Sequence, residues 1–278
     1  MTKRNFREML ETQWDRGNFV CVGLDSDFNK IPEFLRVHVA HKGTTIIMFN
    51  REIVSATRDI VCCYKPNIAF YEAYGAEGIE ALRHTIMDIH DIAPDVPVIL
   101  DAKRADIGNT NAGYVQLAFD YLNVDAITLH PYLGAEALQP FLARTEKGVI
   151  VLCRTSNPGA GEFQDLSVNG EPLYCFVARR VANEWNKGGN CALVAGATYP
   201  DELREVRFIV GDMPILIPAI GAQGGDVEKT VLAGKDSRGS GMIINSSRGI
   251  IFASNGADFA EVSRRETKQL NNLINQYR

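Results

Sequence analysis

The chain has 278 residues, 46% of them hydrophobic, 23% charged and 9% aromatic, which is the composition of a globular protein and not of a disordered, collagenous or disulfide-stapled one. Lysine and arginine (29) against aspartate and glutamate (34) leave a formal net charge of −5, so no general attraction to nucleic acid or anionic membrane is expected, although a small anion needs only a local cationic site. No apolar run approaches the roughly 18 residues of a spanning helix, and Met1–Gly17 is polar with no apolar signal core, so no membrane partner and a cytoplasmic location are expected.

Eight short apolar runs follow one another: Phe19–Asp25, Val61–Pro66, Pro97–Lys103, Asp125–His130, Gly148–Arg154, Cys191–Ala197, Pro214–Ile220 and Gly241–Ser246. They are continuous, not alternating, as strands buried on both faces of a parallel sheet should be. Helical spacing fills the gaps, with Ile79, Leu82, Ile86 and Ile89 in one segment and Tyr114, Leu117, Ala118 and Tyr121 in another. Near the C-terminus Phe259, Val262, Leu270, Leu273 and Tyr277 form a third such face. Eight βα units in succession predict a (β/α)8 TIM barrel filling residues 1–278 as one domain, with an N-terminal and a C-terminal helix. An open doubly wound sheet is the alternative, disfavoured because no GxGxxG follows the first strand. The six cysteines contain no CxxC pair and read as buried, reduced thiols. The longest irregular stretch is Thr155–Pro172; the glycine-rich Gly234–Gly241 precedes the eighth strand and belongs to the opposite end of the barrel.

Barrel active sites lie where the strands end. Here the strands end in Asp25, Lys65, Asp101-Ala102-Lys103 with Asp106 beyond, His130, Arg154-Thr155-Ser156, Gly221-Ala222-Gln223-Gly224-Gly225 and Ser246-Ser247-Arg248. Asp101 and Lys103 are two apart on one strand and point to one face, with Lys65 on the neighbouring strand. A carboxylate and an ammonium about 4 Å apart attract by about 4 kcal/mol at an effective dielectric near 20, enough for an alternating Lys–Asp–Lys–Asp array to hold its charges against desolvation. Buried charge seldom stabilises a core best, so the array points to function. The glycine-rich turn offers unshielded N–H groups and Arg248 a bidentate fork, at the two positions where barrels commonly bind phosphate. Asp25 suits a ribose hydroxyl or a strand-end cap, and His130 suits a wall residue. No metal is expected, because the Lys103 ammonium would compete with a cation among Asp27, Asp101 and Asp106.

These residues carry a family resemblance. Asp101–Thr110 (DAKRADIGNT) resembles the D-x-K-x-x-D signature of the orotidine 5′-phosphate decarboxylase family. Leu24–Asp27 (LDSD), Tyr64–Glu72 (YKPNIAFYE), Arg154–Ala160 (RTSNPGA), Ile217–Asp226 (IPAIGAQGGD) and Ile244–Ile250 (INSSRGI) are similar to that family in the same order, and the length and TSNPG form resemble its longer bacterial type 2 subgroup. The resemblance implies cofactor-independent conversion of orotidine 5′-phosphate to UMP and CO2, the last step of UMP synthesis. It further implies that Asp25 binds ribose hydroxyls, Lys65 joins the charged network, Asp101 sits against the substrate carboxylate and Lys103 protonates C6. Ser156 would meet the pyrimidine amide edge, and Gln223 and Arg248 the 5′-phosphate. Asp106 and Thr110 would enter the other subunit's site, which makes the expected assembly a homodimer with shared active sites.

The chemistry agrees with that implication. Loss of CO2 from C6 leaves a carbanion-like centre without a ring electron sink, and no cofactor fingerprint supplies one, so a lysine cation that stabilises the charge and then delivers a proton has a defined task. The competing readings are a magnesium-dependent sugar-phosphate decarboxylase or aldolase of the same superfamily, a Schiff-base aldolase, and a nucleotide-binding module without catalysis.

Overall fold

The apolar runs form eight parallel strands: β1 (Val20–Gly23), β2 (Cys63–Lys65), β3 (Ile99–Arg104), β4 (Ala126–Leu129), β5 (Gly148–Arg154), β6 (Cys191–Ala195), β7 (Ile215–Ile217) and β8 (Met242–Ser246). The structure, a computed structural model, describes residues 4–37, 41–218, 220 and 226–278. The strands pair in the order β2-β1-β8-β7-β6-β5-β4-β3. Two backbone bonds bring β2 to β3: Tyr64 N–H donates to the Pro97 carbonyl (3.1 Å) and Asp101 N–H to the Pro66 carbonyl (3.0 Å). The sheet is therefore a barrel and not an open doubly wound sheet. Every residue of β1, β2, β4, β6, β7 and β8 is buried, which explains why the sequence runs do not alternate.

The helices surrounding it include α1 (Phe6–Asp15), α2 (Lys42–Thr57), α3 (Gly75–Ile92), α4 (Gly108–Val115), α5 (Gly134–Leu142), α6 (Leu173–Arg180), α7 (Pro200–Val210), α8 (Val227–Gly234) and α9 (Phe259–Tyr277). Asn5 caps α1 by accepting the N–H groups of Arg7 and Glu8, and Phe6, Leu10 and Trp14 turn inward one turn apart. Phe6 sits on the first residue of β5, where a Cβ on Gly148 would come within 2.3 Å of its ring. The N-terminal helix thus covers the end of the barrel opposite the strand C-termini. Among the described residues no helix is long and apolar enough to cross a membrane.

Two apolar faces differ from their sequence reading. After α4 the chain continues as wider, π-helical turns over Gln116–Tyr121, closed by Leu122 N–H on the Leu117 carbonyl (2.9 Å). The extra residue per turn rotates Tyr121 outward and brings Phe119 and Leu122 into the core. On α9, Leu273 faces solvent and Ile274 is buried instead. That helix is held by a polar residue the hydrophobic pattern passes over. Asn271 Oδ1 accepts the N–H groups of Phe19 (2.9 Å) and Val20 (3.1 Å), where β1 begins.

The stretch 155–172 is more ordered than expected. It contains helical turns at Pro158–Ala160 and Gly161–Gln164, then a hairpin of Ser167–Val168 with Glu171–Pro172. Asn169 and Gly170 make its two-residue turn, both at positive φ (54° and 88°), the preference of an Asn-Gly hairpin.

Arg207 on α7 ties the N-terminal ends of the last units together. Its buried guanidinium donates to the carbonyls of Gly234 (2.8 Å), Gly211 (2.6 Å), Met213 (2.6 Å) and Gly241 (2.9 Å). Burial brings its pKa down to about 10, against the opposing pull of Asp236 and Asp212. Arg207→Met removes this donor from all four carbonyls, of which Gly241 keeps the Ile215 N–H (2.9 Å), and a loss of about 3–5 kcal/mol is expected. A thermal melt checks this: the midpoint should fall by roughly 10 °C, and an unchanged midpoint would refute the role.

Candidate active site

Lys65 closes β2, and Asp101 and Lys103 lie on β3 beside it. Lys65 Nζ is 2.9 Å from Asp101 Oδ2, and Lys103 Nζ is 2.5 Å from Asp101 Oδ1. The side chains of Lys65 and Asp101 are 4% and 11% exposed, that of Lys103 49%, so one lysine is fixed inside and the other reaches the open site. Period-two alternation alone does not bring this about. The β3–β4 register slips between Leu100 and Arg104, and Lys103 takes a left-handed φ of 48°. A bulge therefore aims Lys103, as bulges often do at functional rims.

Burial pulls the Lys65 pKa down, but the charges of Asp101 and Asp25 outweigh it and hold the ammonium above the usual lysine range. Burial raises Asp101, and Lys65 and Lys103 more than reverse this, holding the carboxyl well below the usual carboxylate range. Since the folded pKa of Asp101 is depressed, its stabilising share is present above the unfolded value, about 3.9, and is lost only as pH falls through the lower folded value. Neither group changes charge near neutral pH.

The array opens into a cavity of about 420 Å³ at the strand C-termini, lined by Lys65, Asp101, Lys103, Thr128, Ser156 and Gln164 among others. A second compartment, about 170 Å³, shares Lys65, Asp101, Ser156 and Pro218 with it and adds Asp25, Ser247 and Arg248. The site thus has two joined parts, with Lys65 and Asp101 at their junction and Lys103 in the larger part. Asp25 Oδ1 is buried with no hydrogen-bond partner among the described residues. Arg248 opens a short helical turn, Arg248–Ile251, directly after β8. Ser156 is pressed close to Gly196 after β6, where a Cβ would lie 2.9 Å from Ser156 Cα.

Six of the expected residues thus meet at one mouth: Asp25, Lys65, Asp101, Lys103, Ser156 and Arg248. Asp106 and Thr110 stand apart. Asp106 Oδ1 accepts the Ile107 N–H (2.7 Å), its backbone N–H donates to Asn111 (2.8 Å), and Thr110 is exposed on α4. The four-charge array read from the sequence is, within one chain, the three-charge set Lys65–Asp101–Lys103. Gln223 and the glycine-rich turn around it lie outside the described residues. His130 borders a neighbouring apolar groove with Tyr132, Phe163 and Trp185, and its buried Nδ1 has no hydrogen-bond partner among the described residues.

Sequence reasoning missed Thr128 and Gln164. Thr128 is a hydroxyl in the otherwise apolar run Ala126–Leu129, and that contrast was a usable signal. Gln164 gave none. Its Oε1 accepts the Thr155 N–H (2.8 Å) and its Nε2 donates to Thr155 Oγ1 (2.9 Å), a pairing that folds the 161–164 turn back as a cavity wall.

A closed (β/α)8 barrel whose mouth holds a fixed lysine–aspartate–lysine set defines a barrel enzyme working with permanent charges. Residues 19–261 match the orotidine 5′-phosphate decarboxylase / HUMPS family, and the chain belongs to it. It is 50% identical over 274 residues to the orotidine 5′-phosphate decarboxylase of Cupriavidus taiwanensis, covering 98% of both chains. Its structure resembles the OMP decarboxylase of Leishmania donovani with a TM-score of 0.83 and 35% identity, over 97% of this chain and 98% of that one. It also resembles the UMP synthase of Leishmania donovani with a TM-score of 0.86 and 37% identity; 98% of this chain is covered, and it spans 57% of that longer chain.

Proposed function

We infer that the chain removes CO2 from orotidine 5′-phosphate and protonates C6 to give UMP, a carboxy-lyase reaction of pyrimidine synthesis. The observation that carries this reading is the Lys65–Asp101–Lys103 set, with Lys65 and Asp101 where the two compartments join and Lys103 in the larger one. The pyrimidine occupies the larger compartment and the ribose 5′-phosphate the smaller. Lys103, the more exposed of the two lysines, stabilises the developing carbanion and gives it the proton, while Lys65 and Asp101 keep the charges in place. The Asp25 oxygen, which has no partner among the described residues, accepts a ribose hydroxyl. Ser156 meets the pyrimidine edge, and Arg248 with Gln223 holds the phosphate. The ammonium itself supplies the charge, so the reading needs no cofactor. A magnesium-dependent sugar-phosphate decarboxylase or aldolase lacks the support of the full-length relatives, which carry the orotidine 5′-phosphate decarboxylase name. Consumption of orotidine 5′-phosphate followed by absorbance in the presence of EDTA tests the reading: UMP must accumulate, and loss of activity with EDTA would overturn it.

The same reading takes residues 1–278 as one barrel domain, supported by one continuous core among the described residues, places it in the cytoplasm, and pairs two chains. Asp106 and Thr110 sit away from their own cavity, and supplying them to a partner's site makes a homodimer with shared active sites.

Arg248 gives a separate test. A charge-assisted bidentate contact to phosphate contributes about 1.5–3 kcal/mol or more. Arg248→Ala should therefore lower kcat/KM for orotidine 5′-phosphate at least about tenfold, and Gln223→Ala less. Orotidine, which lacks the phosphate, should react slowly with the unaltered chain and hardly more slowly with Arg248→Ala. Equal damage to both substrates would make Arg248 a structural residue.

A further inference from the structure

Thr128 lies inside β4, 1% exposed, at the one place where the β3–β4 ladder loses its register. Its Oγ1 accepts the N–H of Ala102 (3.0 Å) and the N–H of Lys103 (3.0 Å), and stands 2.9 Å from Asp101 Oδ1. A hydroxyl has two lone pairs and one proton. Both lone pairs are engaged by the N–H groups, so the proton is directed at Asp101 Oδ1. That oxygen is also the one that holds Lys103 Nζ, at 2.5 Å.

One side chain therefore contacts both ends of the Asp101–Lys103 segment. It replaces the ladder bonds that the bulge removes, and so fixes the left-handed backbone of Lys103. It also sets the plane of the carboxylate that receives the lysine. Proton delivery depends on this geometry: the donor must reach the carbon along a fixed direction, and small misplacements lower rates strongly. We propose that Thr128 is a positioning residue for the protonation step, acting through Asp101 and Lys103 and not on the substrate itself. This rests on the reading of Lys103 as the acid.

A purely structural hydroxyl would affect how much chain folds, not the rate of each folded site. The test therefore measures kcat and KM for orotidine 5′-phosphate per UMP-binding site, counted by calorimetry, for Thr128→Ala and Thr128→Ser. The alanine chain should lose about 30- to 300-fold in kcat with KM within about threefold of the unaltered chain. Serine keeps the acceptor and the proton and should restore kcat to within about threefold. If the alanine chain yields no UMP-binding protein, Thr128→Cys is measured in the same way, with the same loss expected because a thiol is a weak donor and acceptor. An alanine or cysteine variant with kcat within threefold per site overturns the proposal, and so does a serine variant as slow as alanine. Lys103→Ala is run alongside. If that variant is active, the assignment of the acid is wrong; if it is inactive while Thr128→Ala is fast, only the role of Thr128 falls.

Discussion

Lys103→Ala is expected to lower kcat by more than about 10⁴-fold, since it removes both the proton donor and the cation facing the developing charge. The fold should survive. Lys103 is the most exposed member of the charged set, and Asp101 keeps Lys65 at 2.9 Å and the Thr128 hydroxyl at 2.9 Å. Lys103→Arg should fail as well. A guanidinium stays protonated above pH 12 and is a poor acid, and its planar fork does not fit where a single Nζ reaches one carboxylate oxygen. UMP formation by purified Lys103→Ala within tenfold of the unaltered chain would sink the assignment, and a melt on the same sample shows that the protein is folded.

The second large effect is a rescue. Asp106→Ala and Lys103→Ala should each be nearly inactive as homodimers. Mixed and allowed to exchange subunits, they form heterodimers with one site damaged twice and one intact, so activity should return to about a quarter of the unaltered level under random pairing. The motivation lies in the geometry of one chain: Asp106 accepts the Ile107 N–H and lines neither compartment of its own site. Native mass spectrometry reports whether heterodimers exist. Heterodimers that form and stay inactive would place Asp106 in its own chain's site or outside catalysis.

The sequence alone was enough for the barrel, and the physical reason is the strand environment. A parallel strand covered by helices on one side and barrel interior on the other has no solvent face, so β1, β6 and β7 read as unbroken apolar runs that need no partner to be recognised. It also singled out the charges that meet at the mouth, because barrel chemistry is confined to strand ends and charged residues there contrast with what precedes them, whereas Thr128 and Gln164 escaped it. Lys65, Asp101, Lys103 and Arg248 stand out on that ground alone.

Other features depend on distances between segments far apart in the chain. Asn271 reaches the start of β1 across 252 residues, and Arg207 joins the Gly211–Met213 turn to the carbonyls of Gly234 and Gly241, 27 and 34 residues away; neither polar residue carries a local pattern that tells it from a solvated one. The outward turn of Tyr121 follows from one widened helical turn, and periodicity counted at 3.6 residues cannot register that. At the site, spacing put Asp101 and Lys103 on one face, but the slipped register, the left-handed Lys103 and the Thr128 hydroxyl set the final geometry. The sequence by itself placed Lys65, Asp101, Lys103 and Arg248 at the strand ends that meet at the mouth, and it counted with them Asp106, which stands apart within one chain. Only the tertiary structure decided how they are aimed, because a hydrogen bond between neighbouring strands is fixed by three-dimensional register and not by the order of residues along either one.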